Sequence, residues 1–381
     1  MKRCNRQHLS KKAGVIVYCL ALLCLGCGSV KRSASSNVDD ENFIPFHDKR
    51  VQYDGRIGEK NGAAELYWSG SIARIRFSGR NLKALMEDYN GQNYFNVIID
   101  GAVVQKLKID SAKKWYTLAE NLSPGEHVAE LFKRTQINGE YRRGYTRFYG
   151  FSLPGGKALS APQRKLRRME FYGNSITCGH AVEDTTGGDS GASFYENNYL
   201  SYASLTARHF GAQSSCIAVS GIGLLAGFRK AIMPEIYNLR NPFDSTDVWD
   251  FSLYQPQVVV VNLLENDKAV IGRPSDEHFK KRFGNTPPTE DFIISSYASF
   301  IKILRKHYPN ASIICVLGDM EITRAGSKWP GYVEKAVASL HDKKVYTHFF
   351  PYKGTPGHPR VKQQAEMAAS LIKFIDQNLK W

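Results

Sequence analysis

Val258, Val259, Val260 and Val261, closed by Asn262, make an unbroken β-branched run. A strand with one wet face alternates apolar and polar residues. A run without alternation is a strand covered on both faces. Its covers are helices, and helical patterns stand on either side of it. Residues 200–210 read as one helix. Residues 289–307 read as another, with Thr289 as cap, Glu290 and Asp291 in the first turn, and Phe292, Ile293, Phe300, Ile301 and Leu304 on one face. Residues 168–172, 216–219, 312–317 and 345–350 read as further strands, and residues 331–340 and 361–379 as further helices. Strands alternating with helices predict a parallel sheet with helices on both sides.

The front of the chain follows a different pattern. From residue 46 to about 155, short alternating segments are separated by turn residues. Residues 64–68 end at Ser69-Gly70, and residues 72–77 end at Ser78-Gly79. Residues 94–99 run into Asp100-Gly101, a hairpin signal, and residues 103–109 continue beyond it. Residues 115–118 and 128–132 flank Ser123-Pro124-Gly125. This spacing predicts an all-β antiparallel sandwich. Residues 154–165 read as a linker, and the α/β part occupies 164–381.

The first residues read as an export signal. Lys2, Arg3, Arg6, Lys11 and Lys12 precede an apolar run from Ala13 to Leu25, too short to span a bilayer comfortably. The run ends in Leu25-Gly26-Cys27-Gly28-Ser29, which resembles a bacterial lipoprotein processing site. Residues 1–26 are therefore expected to be removed, Cys27 to be lipidated, and residues 27–45 to form a flexible tether. The expected location is outside the cytoplasm, anchored to a membrane of the bacterial cell envelope. The formal charge of the whole chain is +15, and removing the five leader cations leaves about +10. That excess comes with no basic helix, zinc finger or aromatic nucleic-acid motif, so nucleic acid is not an expected partner. Cys178, Cys216 and Cys315 stand apart in sequence and read as small buried residues, with one pair open to bridging. No cysteine or histidine spacing points to a metal.

Open parallel sheets bind ligands beyond the carboxyl ends of their strands. Four segments follow predicted strands: Gly173-Asn174-Ser175-Ile176-Thr177, Ser220-Gly221, Glu265-Asn266-Asp267, and Gly357-His358-Pro359. Together they bring a serine, a glycine, an asparagine and a histidine to one rim. Ester hydrolysis requires those types. A serine hydroxyl attacks only when a base such as His358 takes its proton. The tetrahedral intermediate needs preorganised donors, here the backbone N–H groups of Ser175 and Gly221 and the side-chain amide of Asn266. Cys178 and the other histidines, His180 and His348, are weaker candidates for these roles. Trp68 and Trp115 read as core, whereas Trp329 is a candidate sugar platform.

These four blocks resemble those of the SGNH (GDSL-like) hydrolases, and more closely those of carbohydrate esterase family 2. The front part is similar as well, at Tyr67-Trp68-Ser69-Gly70-Ser71, Val97-Ile98-Ile99-Asp100-Gly101, Pro124-Gly125-Glu126-His127 and Lys133-Arg134-Thr135. The resemblance implies a jelly-roll sandwich followed by a flavodoxin-like α/β hydrolase domain. It also implies hydrolysis of acetyl esters on plant cell-wall polysaccharides such as xylan or glucomannan, without metal or cofactor. Acetylated polysaccharide or oligosaccharide is then the expected partner, beside the membrane reached through the anchor.

Two positions depart from the family's pattern. Leu264 stands where the third block usually has glycine. Thr355 and Pro356 stand where an acid commonly orients the histidine, leaving Asp319 and Asp267 as substitute acids or a backbone carbonyl in that role. A neutral orienter predicts a slower enzyme. The same departures motivate two alternatives: a non-catalytic glycan-binding protein on a decayed esterase scaffold, and a lipase- or peptidase-like hydrolase.

Overall fold

The structure is a computed structural model that describes residues 42–139 and 143–381. The expected leader, the Cys27 lipidation site and most of the tether lie outside these residues. The described residues form one compact unit.

Two six-stranded antiparallel sheets come first. One runs Ile57–Lys60, Ala63–Leu66, Thr146–Ser152, Leu82–Asp88, Lys114–Ala119, with Phe43–Pro45 added beside Thr146–Ser152. The other runs Lys157–Ala158, Ile72–Ser78, Glu126–Lys133, Tyr94–Ile99, Ala102–Lys108, with Gln52–Asp54 beside Ile72–Ser78. Phe77, Phe95, Phe148, Phe151, Leu82 and Met86 fill the space between them. The Asp100-Gly101 signal is a two-residue hairpin turn, with φ of 50° and 84°. Two boundaries differ from expectation. Phe43–Pro45, assigned to the tether, is a strand. Lys157–Ala158, assigned to the linker, pairs with Ser78 and Phe77. Both are edge pieces too short for periodicity to reveal. Leu82–Asp88 and Thr146–Ser152 escaped the sequence reading altogether, although both occupy the interior of their sheet.

The parallel sheet has the spatial order Gln213–Ala218, Arg168–Gly173, Val258–Asn262, Ser312–Leu317, Val345–Phe349. That is the flavodoxin-like order 2-1-3-4-5, whose reversal point lies between its first and third strands. The four valines behave as the run demands. Val259 and Val261 enter one core with Ile301 and Leu304 of the Glu290–His307 helix. Val258 and Val260 enter the opposite core with Leu371 and Ile375 of the Val361–Asn378 helix. Each fully buried valine is worth about 1.5–3 kcal/mol relative to exposure. Phe292, expected on the buried face, is 51% exposed. It sits in the first turn, ahead of the first buried residue of the helix, Ile293.

Sandwich and sheet share a core. Tyr67, Trp68 and Ile137 pack in the same cluster as Tyr172 and Val261. The Trp68 indole donates to the Arg240 carbonyl at 2.8 Å. Arg56 is buried against Glu170 at 3.1 Å, and its other nitrogen donates to the Tyr237 and Leu239 carbonyls. A buried ion pair adds little net stability, but removing one partner strands the other charge, so it fixes the docking angle.

Candidate active site

The Arg168–Gly173 strand ends in Asn174, whose Oδ1 accepts the Ile176 amide at 3.0 Å and so starts the one-turn Ser175–Cys178 helix. Ser175 thus lies on the rim beside the reversal point of the sheet. The closing helix is stitched over it. Gln364 accepts the Tyr202 amide at 2.7 Å and donates to the Ile176 carbonyl at 3.0 Å. This attachment brings His358, just ahead of the helix, to Ser175. The imidazole Nε2 lies 2.7 Å from Ser175 Oγ.

The other imidazole nitrogen has an unexpected partner. His358 Nδ1 lies 2.7 Å from Asp189 Oδ2, and the His358 amide donates to the same carboxylate at 3.1 Å. Asp319 and Asp267, the expected substitute acids, are elsewhere engaged or isolated. Asp267 accepts the amides of Leu224, Leu225 and Ala226 at 2.6–2.9 Å. Asp319 is buried with neither carboxylate oxygen hydrogen-bonded among the described residues, and burial pushes its carboxyl up to about 6. With a carboxylate on the imidazole, the inference of a slower enzyme from a neutral orienter no longer follows.

The Asp189 loop is built for rigidity. Asp184 accepts the Thr186 amide and hydroxyl at 2.8 and 2.6 Å and the Ser190 amide at 2.9 Å, tying the loop to itself. Arg360 donates to Asp189 at 2.8 Å and to the Ala181 and Gly188 carbonyls at 2.8 and 3.0 Å. Its hydrogen bond to His358, helped by Arg360, holds the Asp189 carboxyl well below the usual range despite partial burial. The sequence carried one signal for this residue. Residues 181–199 form a long, Gly- and Thr-containing stretch without periodicity, and such stretches inside compact folds are usually functional.

Behind the imidazole stands a buried polar cluster. His180 meets His358 edge-to-face at 4.8 Å, and its Nδ1 lies 3.0 Å from Glu196. Glu196 also pairs with Arg143 and accepts from Gln136 Nε2 at 2.7 Å. Gln136 in turn donates to Ser220 Oγ at 2.6 Å and accepts the Ser220 amide at 2.7 Å. Gln136 and Arg143 come from the sandwich, so the front part contributes to the site directly. Burial works against the charge of Glu196, but Arg143 and His180 pull its carboxyl down to about 2. Burial lowers the pKa of His358, with the Asp189 hydrogen bond opposing and His180 adding to the fall. The imidazole is therefore neutral, and able to accept a proton, at neutral pH.

The three expected donors stand as follows. Gly221 has φ of 78°, a conformation that only glycine adopts without strain, in the turn after Gln213–Ala218. Among the described residues, the amides of Ser175 and Gly221 have no acceptor. Asn266 Nδ2 donates to the Ile222 carbonyl at 2.8 Å, which ties it beside Gly221 and leaves its second N–H to spend. Leu264 is buried with φ of 86°, the left-handed conformation that suits the glycine usual at that place. Glu265 bridges the rim, accepting Asn174 Nδ2 at 2.6 Å and the Gly318 amide at 2.7 Å, while burial pushes it up to about 7.

The remaining candidates take no part in this geometry. Cys178, Cys216 and Cys315 are free and buried, and Cys178 faces the interior. His348 lies 3.0 Å from Ser370 Oγ on the last strand. Trp329 packs edge-to-face on Tyr332 at 5.6 Å and against the core.

A 2-1-3-4-5 parallel sheet carrying serine, glycine, asparagine and histidine on one rim, behind an antiparallel sandwich, is the architecture of an SGNH-type hydrolase. Comparison with known proteins narrows the class. Residues 53–162 match the family model described as carbohydrate esterase 2 N-terminal. The chain is 31% identical to a family two carbohydrate esterase from Clostridium thermocellum, solved in complex with cellohexaose. The match covers 86% of this chain and 98% of that one, with a TM-score of 0.76. It is 32% identical to the Cellulase/esterase CelE of Acetivibrio thermocellus over 87% of its length, and spans 40% of that longer protein. It is 25% identical to an Acetylxylan esterase / glucomannan deacetylase of Cellvibrio japonicus, covering 93% of this chain and 97% of the relative. The chain belongs to carbohydrate esterase family 2, and is an ester hydrolase of that class.

Proposed function

We propose that this chain removes O-acetyl groups from a plant cell-wall polysaccharide such as xylan or glucomannan, through an acetyl-enzyme on Ser175. The observation that carries the reading is the continuous line from Ser175 Oγ through both nitrogens of His358 to the Asp189 carboxylate. His358 Nε2 takes the hydroxyl proton as Oγ bonds to the acetyl carbon. The carbonyl oxygen becomes an oxyanion that accepts from the amides of Ser175 and Gly221 and from Asn266. The intermediate collapses by breaking the bond to the sugar oxygen, which leaves with the proton from His358. Water then gives a proton to the same imidazole, adds to the acetyl carbon and displaces Oγ, which recovers that proton. Asp189 holds the Nδ1–H tautomer and stabilises the transient imidazolium. The choice of acetyl and of a β-linked polysaccharide is supported by the relatives: one is named an acetylxylan esterase / glucomannan deacetylase, and one was solved with cellohexaose.

The test is acetate release from acetylated xylan and acetylated glucomannan, alongside an organophosphonate probe. The native protein releases acetate and gains a covalent adduct at Ser175. Undiminished release by Ser175→Ala, or an adduct at another residue, would end the reading. We further propose export with lipidation at Cys27, on the leader pattern alone. Fatty-acid labelling that survives Cys27→Ser would end that part.

A further inference from the structure

A concavity opens where the sandwich meets the α/β part, away from Ser175 and His358. It has a volume of about 630 Å³, within the range of small-molecule pockets, and its walls come from the sandwich and from residues 241 and 243 of the α/β part. Tyr89 and Phe243 are 58% and 55% exposed. Each ring lies on a glycine. A Cβ on Gly144 would fall 2.4–2.6 Å from Tyr89, and one on Gly139 would fall 3.3 Å from Phe243. One face of each aromatic is thus bedded on backbone, and the remaining surface stays open. Both are held in place. Tyr89 packs on Tyr145 at 5.5 Å between centroids, and the amide of Phe243 donates to Asn241 Oδ1 at 3.0 Å.

Polar groups stand between these platforms. Asn90 Oδ1 is buried and has no hydrogen-bond donor among the described residues. With its oxygen engaged, Asn241 presents its amide nitrogen as a donor. Pyranose rings match such a surface, since their C–H faces pack on aromatic rings and their equatorial hydroxyls both donate and accept.

We propose that this concavity is a glycan subsite for unacetylated β-1,4-linked sugars of the chain whose acetyl group is being removed. The proposal rests on the deacetylase reading. Arg143 supplies the continuity between the two places. It lines the concavity, pairs with Glu196 behind His180, and donates to the Gly191 carbonyl in the loop that carries Asp189. The subsite requires a polysaccharide lying across this wall to meet both places at once. A small aryl acetate reaches only Ser175.

The test uses Tyr89→Ala/Phe243→Ala, with Tyr89→Phe as the conservative control. On acetylated polysaccharide the double variant raises KM about tenfold or more with kcat held, since each ring contributes on the order of a stacking contact. On 4-nitrophenyl acetate it matches the native protein, which also shows that it folds. Tyr89→Phe matches native on both substrates. In the Ser175→Ala background, titration with cellohexaose and xylohexaose gives binding to at least one of them that the double variant loses. A polymer KM within twofold of native overturns the subsite. So does an equal loss on the aryl acetate, which would make the rings structural supports of the catalytic loop. If the native protein cleaves the aryl ester but not the polymer, the deacetylase reading fails, and the titration still decides the subsite by itself.

Discussion

The rim of the parallel sheet and the layer that faces it are built in opposite ways. On the rim, Ser175, Gly221 and Asn266 follow closely on strand ends and are placed by the local turn. In the facing layer, Asp189, Glu196, Arg143 and Gln136 come from loops and from the sandwich. Long-range hydrogen bonds join them to the histidines. In the proposed mechanism the rim holds the groups that touch the reacting atoms. The facing layer holds the charge that sets the tautomer and orientation of one imidazole. The contrast teaches that nucleophile and donors can be specified by short motifs, whereas the acid that supports them can sit anywhere that packing delivers it.

If that division of labour is right, the rim carries the largest effect. Ser175→Ala should lower the turnover of 4-nitrophenyl acetate by about 10⁴-fold or more, since loss of a nucleophile leaves only binding and oxyanion donors. A modest loss would break the comparison at its first half. Asp189→Asn should cost about 10²- to 10⁴-fold in kcat. It should also move the acid limb of the kcat/KM profile to lower pH. The Asp189 hydrogen bond raises the pKa of His358 against burial, so removing it lets that pKa fall further below its ordinary value. A rate loss without that displacement would make Asp189 a fold contact rather than an orienter.

Glu196→Gln sharpens the comparison through stability. Arg143 and His180 hold the native carboxyl well below its unfolded value of 4.5. Its stabilisation is complete above the unfolded value and is lost as pH falls through the folded one. Removing one partner of a buried ion pair costs about 3–5 kcal/mol. In chemical denaturation the variant should lose about this much at pH 7 and draw level with native protein as pH falls toward 2. A pH-independent loss would mean that shape, not charge, is what Glu196 supplies. The smallest effect belongs to Leu264. Both Leu264→Ala and Leu264→Gly open a cavity in the core. The glycine variant should be the more stable of the two by about 1 kcal/mol, because φ near 86° penalises any Cβ. The reverse order in urea denaturation would show that the turn relaxes when the leucine is removed.

Much of the architecture was legible because it rests on periodicity. The valine run, the capped helix after Thr289 and the Asp100-Gly101 turn each carry their own signal. Phe292 was misplaced because periodicity assigns a face but not the point at which a helix leaves its neighbour. The strands Leu82–Asp88 and Thr146–Ser152 were missed amid charged residues such as Lys83, Glu87 and Arg147, whose pairing partners become visible only across the sheet. In the site, Ser175 and His358 were legible because each sits in a short block at a strand or helix end.

The sequence by itself determined a sandwich followed by a doubly covered parallel sheet, and the blocks that put Ser175, Gly221, Asn266 and His358 at its rim. Those properties depend on neighbours along the chain, through turn geometry, capping and the period of apolar residues. Only the tertiary structure decided that Asp189 orients His358, that sandwich residues buttress the histidine, and that Asp319 does not. These depend on which side chains meet after residues far apart in sequence pack together, and no local pattern encodes the distance between two loops.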